Sequence, residues 1–346
     1  MDPLDRHLLN RIQIALPLVR EPFAELAREF GCDERAVTDR ISALRGEGGV
    51  IREISAVFDA VALGYEQALL AMRVPPDRLD RAGETAAAHP GVSHCYARRR
   101  EENLWLTLAT SPRSRLGLSA TAALLAGTCG ADGWMLLPTV RRYKLDVRFD
   151  MERGGPAATP RVAATPVSAP HPGVPQLTDP QLRAVRALQQ DLPCRRDPFA
   201  VLAEGAGLDA DMLLVHAADF LAAGWMRRYA AVLRHRAAGS RANVLVAWAV
   251  AEPLADTAGA RCARSPAVSH CYLRPTAPGW PFNLYTMIHG RSQEDCRATI
   301  EEIAATTGLG RRAELWTTKE YKKQRVALFS DAEARWEQAH AHAGQR

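Results

Sequence analysis

The sequence predicts an α+β protein made of two related halves joined head to tail. The tetrapeptide Ser-His-Cys-Tyr occurs at 93–96 and again at 269–272, so the two copies lie half a chain apart in a protein of 346 residues. Self-similarity at such a long period indicates duplication of a whole structural unit. Further pairs in the same register are Phe23 with Phe199, Gly31 with Gly207, and Asp33 with Asp209.

Each half begins with three short helical patterns that outline a winged helix-turn-helix. In the first half, Gly31 is a candidate C-cap for the second helix and Asp33 a candidate N-cap for the third. Loose alternation over 50–61 predicts the strands of a wing. The predicted helices are 4–15, 23–30 and 34–46 in the first half, and 179–192, 199–204 and 209–222 in the second.

The remainder of each half has the order βαββαβ, which is that of a ferredoxin-like domain. Strand and helix periods alternate in both copies. The first half has predicted strands at 68–74, 92–98, 104–109 and 135–145, and helices at 78–88 and 116–125. The second half has predicted strands at 243–250, 268–273, 283–289 and 312–321, and helices at 256–263 and 293–306.

These patterns predict six segments. The segment 154–175 contains six prolines and no acidic residue, which predicts a semi-extended linker between the halves. The predicted boundaries are 1–62 and 63–153 for the two domains of the first half, 176–238 and 239–330 for those of the second half, and 331–346 for a helical tail.

Composition and motif content argue against several classes of protein. There is no run of eighteen apolar residues, which predicts no membrane span, and the N-terminus lacks the pattern of a signal peptide. The seven cysteines form no Cys-x-x-Cys, which argues against a zinc ribbon or an iron–sulfur cluster and suits reduced thiols. We therefore expect a cytoplasmic protein. No nucleotide-binding motif is present either.

The helix-turn-helix followed by a βαββαβ domain resembles the Lrp/AsnC family of transcription regulators. DNA binding needs cations on the recognition helix. The second-half helix at 209–222 carries three Asp and no Lys or Arg, and the first-half helix is near neutral, since Arg35 and Arg40 are offset by Glu34 and Asp39. DNA is therefore an unlikely partner, although a regulator and a heme-responsive sensor remain the alternative functions.

Several segments together resemble the siroheme decarboxylase family, in the form in which two subunits are fused. They are Arg227-Arg228, His235-Arg236, Gly239 and Asn243, the run from Val268 to Pro275, the run from Trp280 to Gly290, and Thr317-x-Lys319-x-Tyr-Lys322. The resemblance implies non-oxidative removal of two acetate carboxylates (C12 and C18) from siroheme. The product would be 12,18-didecarboxysiroheme, for heme d1 or for heme in other organisms. It implies no cofactor beyond the iron of the tetrapyrrole, and intramolecular pairing of the halves, with a homodimer of the fused chain left open.

The chemistry selects residues for that activity. A substrate with eight carboxylates needs several cations, and the carbon left by each carboxylate must be protonated by a general acid. The predicted catalytic residues are His270, Tyr321 and His235, with His270 also a candidate ligand of the siroheme iron. The predicted substrate-binding residues are Arg227, Arg228, Arg236, Arg274, Lys319, Lys322, Tyr272, Asn283, Trp280, His94 and Arg98, and further first-half cations are Arg52, Arg141, Arg142 and Lys144.

Structural roles compete with these. A histidine at a strand end is commonly a hydrogen-bonded structural residue, His289 is interpreted as one, and Trp280 is equally consistent with the core. The halves also differ: the first has Ala60 opposite His235 and Glu53 opposite Arg228. One site built mainly by the second half is the simplest interpretation, with two sites as the alternative.

Overall fold

The computed structural model describes residues 1–46, 48–145, 151, 165–166, 174–234 and 242–340. The helices are α1 Pro3–Ile14, α2 Pro22–Phe30, α3 Glu34–Arg45, α4 Leu79–Ala88, α5 Gly117–Thr128, α6 Asp179–Leu188, α7 Pro198–Gly205, α8 Ala210–Ala222, α9 Ala255–Arg264, α10 Gln293–Thr307 and α11 Ala332–His340. The strands are β1 Ile51–Phe58, β2 Glu66–Arg73, β3 Val92–Arg98, β4 Leu104–Thr110, β5 Gly133–Pro138, β6 Arg141–Leu145, β7 Thr165–Pro166, β8 Met226–Leu233, β9 Ala242–Trp248, β10 Val268–Leu273, β11 Leu284–Gly290 and β12 Arg312–Lys323. The predicted α+β class, with duplicated helical and βαββαβ parts, is confirmed.

The described residues form two compact units that cut across the sequence halves. The first unit contains α1–α3, α6–α8, β1 and β8, and the second contains the remaining elements. Each unit therefore takes a corresponding piece from both halves.

Local sequence explains the helices of the first unit. Asp2 and Asp5 form a capping box at α1, and Thr178 forms one with Gln181 at α6. Gly31 ends α2 with φ 63°, the left-handed conformation that glycine adopts without strain. The predicted C-cap is thus confirmed, and Asp33 occupies the predicted N-cap position of α3, although its side chain makes no capping hydrogen bond.

The wing predicted over 50–61 is a single strand, and its partner belongs to the other half. β1 pairs antiparallel with β8, with Ser55 opposite Ala230 and Ile54 opposite Ala231. Ser55, Ile54 and Ala230 are all fully buried in this pair. Each half alone would leave its strand with unpaired backbone groups at an open edge, and the pairing between halves satisfies them.

The second unit contains a ten-stranded antiparallel sheet with the order β5-β2-β4-β3-β12-β9-β11-β10-β6-β7. Helices α4 and α5 cover the first-half strands, with a core of Leu70, Val92, Leu106 and their neighbours. Helices α9 and α10 cover the second-half strands in the same way, around Trp248, Val268 and Ile300.

The last strand of each half crosses into the other half. β12 pairs first with β9 of its own half, at Arg312–Trp316, and then with β3 of the first half, at Thr317–Lys323. The strand predicted at 135–145 is in fact two strands, β5 on β2 and β6 on β10. Between them the Val140 N–H donates to Leu273 O at 2.8 Å, so the change of partner ends the first strand.

A third core joins the two βαββαβ copies on the sheet face that the helices do not cover. It contains Trp105 and Leu137 from the first half and Trp280, Tyr285 and Leu315 from the second. The Trp105 and Trp280 rings lie 5.4 Å apart between centroids. We call this the inner face, and the face under the helices the outer face. The halves pair within one chain, as predicted.

Among the described residues, no helix is long and apolar enough to cross a membrane.

Candidate active site

Each Ser-His-Cys-Tyr motif forms the start of a strand with a β-bulge at its serine. In β10, Val268 pairs with Ile288 and His270 with Met287, so Ser269 is the extra residue, and β3 repeats this at Ser93. A bulge re-aims side chains locally and often occurs next to active sites. It brings the hydroxyl of Ser269 to 2.7 Å from Nδ1 of His270.

His270, Tyr272 and Arg274 lie in a row on the inner face, as their period of two predicts. The His270 and Tyr272 rings are 6.1 Å apart, and the Arg274 guanidinium lies 5.2 Å from the Tyr272 ring centroid. Cys271 points the other way, into the outer core, and is fully buried. His94, Tyr96 and Arg98 repeat the row in β3.

Arg274 and Arg98 are deeply buried, and each donates a hydrogen bond to the backbone of a strand from the other half. Arg274 Nη1 donates to Leu137 O, and Arg98 Nη1 to Leu315 O, both at 2.6 Å. Burial lowers the pKa of both guanidinium groups, that of Arg98 to about 10. In both, Nε is buried without a hydrogen-bond partner among the described residues. A buried cation of this kind favours a nearby anion, so carboxylate binding by either arginine stays a prediction beside its structural role.

Lys319, Tyr321 and Lys322 lie on the outer face, not beside His270. The Tyr321 hydroxyl donates to Asp80 at 2.6 Å, and Lys319 Nζ contacts the same carboxylate at 2.8 Å. Lys322 Nζ donates to His89 O at 2.9 Å, and burial lowers its pKa. Burial raises the pKa of Tyr321, and the bond to Asp80 raises it further. The sequence grouped these residues with His270, but two bulges in β12, between Thr317 and Lys319 and between Glu320 and Lys322, turn them toward α4.

The equivalent tyrosine and lysine of the first half, Tyr143 and Lys144, make the same kind of contacts. This repetition indicates that the contacts stabilise the fold. Tyr143 donates to Asp256 at 2.6 Å, and Lys144 Nζ donates to Ser265 O at 2.9 Å. The Tyr143 ring covers Gly259 so closely that a Cβ there would lie 2.4 Å from it. The catalytic role predicted for Tyr321 gains no support from these contacts and stays a prediction.

Trp280 and Asn283 also have structural contacts. Trp280 is 2% exposed, and its Nε1 donates to the Tyr285 hydroxyl at 2.6 Å, so the core interpretation fits it. The Asn283 side chain exchanges two hydrogen bonds of 2.9 Å with the backbone of Val250.

Arg227 and Arg228 belong to the first unit. Arg227 forms an ion pair with Asp59 at 2.6 Å, and Arg228 stands opposite Val57 in the β1–β8 pair. His235 and Arg236 lie outside the described residues.

The two motif copies face different neighbours on the inner face. Residues directly opposite in an antiparallel pair lie on the same face. Tyr272 is opposite Arg142, whereas Tyr96 is opposite Glu320. His270 is opposite Leu145 in β6. A cation therefore lies beside the second copy at the position where the first copy has a carboxylate.

The sequence interpretation gave Ser269 no role of its own and took His289 as structural, but both contribute to this site. His289 Nε2 lies 2.8 Å from Ser269 Oγ, so one hydroxyl contacts both His289 and His270. The equivalent of His289 in the first half is Ala109, whose N–H bonds to Gly91 O as that of His289 bonds to Ala267 O. The signal was the repeat itself, because a histidine replaces alanine only in the second copy.

The described part of the chain contains no cluster of three or more His, Cys, Asp or Glu side chains able to hold a metal ion. The candidate recognition helices are poorly suited to DNA, because Arg40 in α3 pairs with Asp2 at 2.5 Å and Asp5 at 2.7 Å, and Arg35 lies 3.7 Å from Asp39.

Comparison with known proteins agrees with this architecture. The model of the AsnC-like ligand binding domain matches residues 62–144 and 237–322, and that of the siroheme decarboxylase NirDL-like HTH domain matches residues 5–52. The siroheme decarboxylase of Hydrogenobacter thermophilus is 35% identical over 95% of this chain and 96% of its own. The siroheme decarboxylase beta subunit of Desulfovibrio desulfuricans is 36% identical over 45% of this chain and 98% of its own.

A solved structure is also similar over the whole length. The crystal structure of the siroheme decarboxylase NirDL in co-complex with an iron-uroporphyrin III analogue has a TM-score of 0.77 and 30% identity, and it covers 100% of both chains.

Fold and comparisons thus define a protein with two AsnC-like ligand-binding domains and a helix-turn-helix domain. The chain belongs to the siroheme decarboxylase family, in the form in which both halves are fused.

Proposed function

We propose that this chain is a siroheme decarboxylase that removes the C12 and C18 acetate carboxylates of siroheme without a redox step. The observation that carries the proposal is the full-length relationship to the Hydrogenobacter enzyme, at 35% identity over 95% of the chain. The product is 12,18-didecarboxysiroheme, for heme d1 or an alternative heme route. The enzyme is a carboxy-lyase that needs no cofactor beyond the iron of its substrate.

The inner face at β10 supports this chemistry. Decarboxylation leaves an electron pair on the acetate carbon, which the macrocycle delocalises until a general acid protonates it. His270 is the acid in this proposal, or the ligand of the siroheme iron. Tyr272 lies beside it and Arg142 opposite Tyr272, and a cation in this position supports the binding of substrate carboxylates here.

Turnover at the second motif copy follows from the difference between the copies. Glu320 lies opposite Tyr96 and would repel a carboxylate at the first copy, whereas Arg142 attracts one at the second. We assign the first copy a supporting role, with His94 and Arg98 completing the walls.

Anaerobic incubation of the purified protein with siroheme tests the proposal. We expect the product to lose two carbon dioxide units by mass spectrometry without added nicotinamide, flavin or metal. Unchanged siroheme would contradict it, and salt-dependent binding to promoter DNA, or tight binding of heme without reaction, would favour the regulator or the sensor.

A further inference from the structure

We propose that Ser269 and His289 form a proton relay that supplies His270. Ser269 Oγ lies 2.7 Å from His270 Nδ1 and 2.8 Å from His289 Nε2, distances typical of hydrogen bonds. The inference rests on the proposed function, because it makes His270 the proton donor. Ser269 and His289 are positioning residues here, since they act through His270.

The relay requires one orientation of the serine hydroxyl. A serine hydroxyl has one proton to donate and two lone pairs to accept with. Nδ1 of His270 at 2.7 Å and Nε2 of His289 at 2.8 Å are both near enough to accept that proton, and Met287 O lies farther away at 3.3 Å. In the relay the serine proton goes to Nδ1 of His270, and His289 Nε2–H donates to the serine oxygen. This arrangement leaves the remaining proton of a neutral His270 on Nε2, the nitrogen that points away from Ser269.

The transfer balances. His289 as imidazolium gives its Nε2 proton to Ser269 Oγ, Ser269 passes its own proton to Nδ1 of His270, and His270 Nε2 gives its proton to the acetate carbon. Three N–H or O–H bonds break, and one O–H, one N–H and one C–H bond form. Both histidines end neutral. The carbon keeps the electron pair of the broken C–C bond, and carbon dioxide leaves.

Position and burial suit this role. Ser269 is only 7% exposed, so water competes little for its hydroxyl, whereas His289 is half-buried at the end of β11 and can regain a proton from solvent. The first copy keeps the serine, with Ser93 Oγ 3.0 Å from His94 Nδ1, but Ala109 replaces the second histidine. The relay is thus specific to the copy at which we place turnover.

One measurement tests the relay separately from the activity. Nitrogen-15 NMR of histidine-labelled protein without substrate should show neutral His270 protonated on Nε2, and Ser269→Ala should shift that equilibrium toward Nδ1. Protonation of Nδ1 in the wild type would overturn the relay, because the serine proton would then point to Nε2 of His289 or to Met287 O and not to His270. This readout stands even if siroheme is not turned over.

In the siroheme assay, His289→Gln should lower kcat about tenfold with KM within about twofold, since glutamine keeps the hydrogen bond to Ser269 but cannot pass a proton on. Added imidazole should restore part of the kcat of His289→Ala, and Ser269→Thr, which keeps the hydroxyl, should retain more than Ser269→Ala. Ser93→Ala is the matched variant in the first copy, and we expect it to lower kcat less than Ser269→Ala does. Full activity of His289→Gln would overturn the inference.

Discussion

The buried side chain of His89 makes the stability of this chain depend on pH. His89 is fully buried, accepts a hydrogen bond from the Gly91 N–H at 3.0 Å, and packs its ring against Trp336. Burial lowers its pKa to about 4, and the charges of Lys322 and His340 add to this. The second half has Ser265 at the same position, so the duplication supplies a natural replacement.

His89 should therefore make the protein less stable in mild acid. The unfolded chain binds a proton near pH 6.5 and the folded chain only near pH 4, so stability falls as pH drops through this window, by about 3 kcal/mol in all. His89→Ser should show a smaller loss over the same window, although it loses the contact with Trp336. Urea unfolding at several pH values measures this, and identical pH slopes for both proteins would contradict the assignment.

Tyr321 allows a direct choice between packing and catalysis. Tyr321→Phe keeps the ring against Gly83 and removes only the bond to Asp80. We expect kcat within about threefold of the wild type and a loss of about 1 kcal/mol in the free energy of unfolding. Tyr143→Phe is the matched variant in the other half. A hundredfold loss of kcat confined to Tyr321→Phe would restore the catalytic hypothesis.

At the scale of elements, β6 and β12 deliver the unlike charges that distinguish the two motif copies. Each of these strands ends the βαββαβ part of one half and pairs with the motif strand of the other half. Each half therefore places a charged residue beside the motif of the other. The sequence alone listed Arg142 only among many cations, because its partner Tyr272 is known only once the crossing register is known.

Arg142→Glu should place a carboxylate opposite Tyr272, as Glu320 lies opposite Tyr96 in the first copy. We expect KM for siroheme to rise at least about tenfold, because a carboxylate now faces the carboxylates of the substrate. Glu320→Gln is the control, and we expect it to change KM less than about twofold. Equal KM values for Arg142→Glu and wild type would mean that the substrate does not approach β6.

Local sequence patterns predicted most helices and strands. Strand pairing between the halves accounts for the elements that differ between the prediction and the structure. The period of two placed His270 and Tyr272 on one face, and the strands at 92–98 and 268–273 match the structure. The division at Val140 and the β1–β8 pair depend on partners far away in sequence, which local periodicity does not contain. The contact of Ser269 with His289 needed the bulge, because regular alternation would direct Ser269 and His270 to opposite faces.

At the scale of the whole molecule, the halves are held by interlocked strands and a shared core. β3 with β12, β6 with β10, and β1 with β8 all join one half to the other. The inner core adds tryptophans from both halves. The connection between the halves is therefore not needed for their association once they have folded.

Cleavage of the connecting segment should leave the protein intact in solution. A protease site inserted between residues 154 and 164 and cut after folding should give two fragments that elute together from a sizing column and retain siroheme turnover. The uncut insertion variant is the control. Separate elution of the fragments would show that the covalent connection holds them together.

The most direct test of the central claim compares the two motif copies in the same anaerobic siroheme assay. His270→Ala should lower turnover by about a hundredfold or more if His270 is the acid, whereas His94→Ala should lower it much less. If His270 is only an iron ligand, its loss should shift the Soret band of bound heme and leave part of the activity. Equal activity of His270→Ala and wild type, with an unchanged heme spectrum, would show that the repeated motif is structural and that the decarboxylation takes place elsewhere.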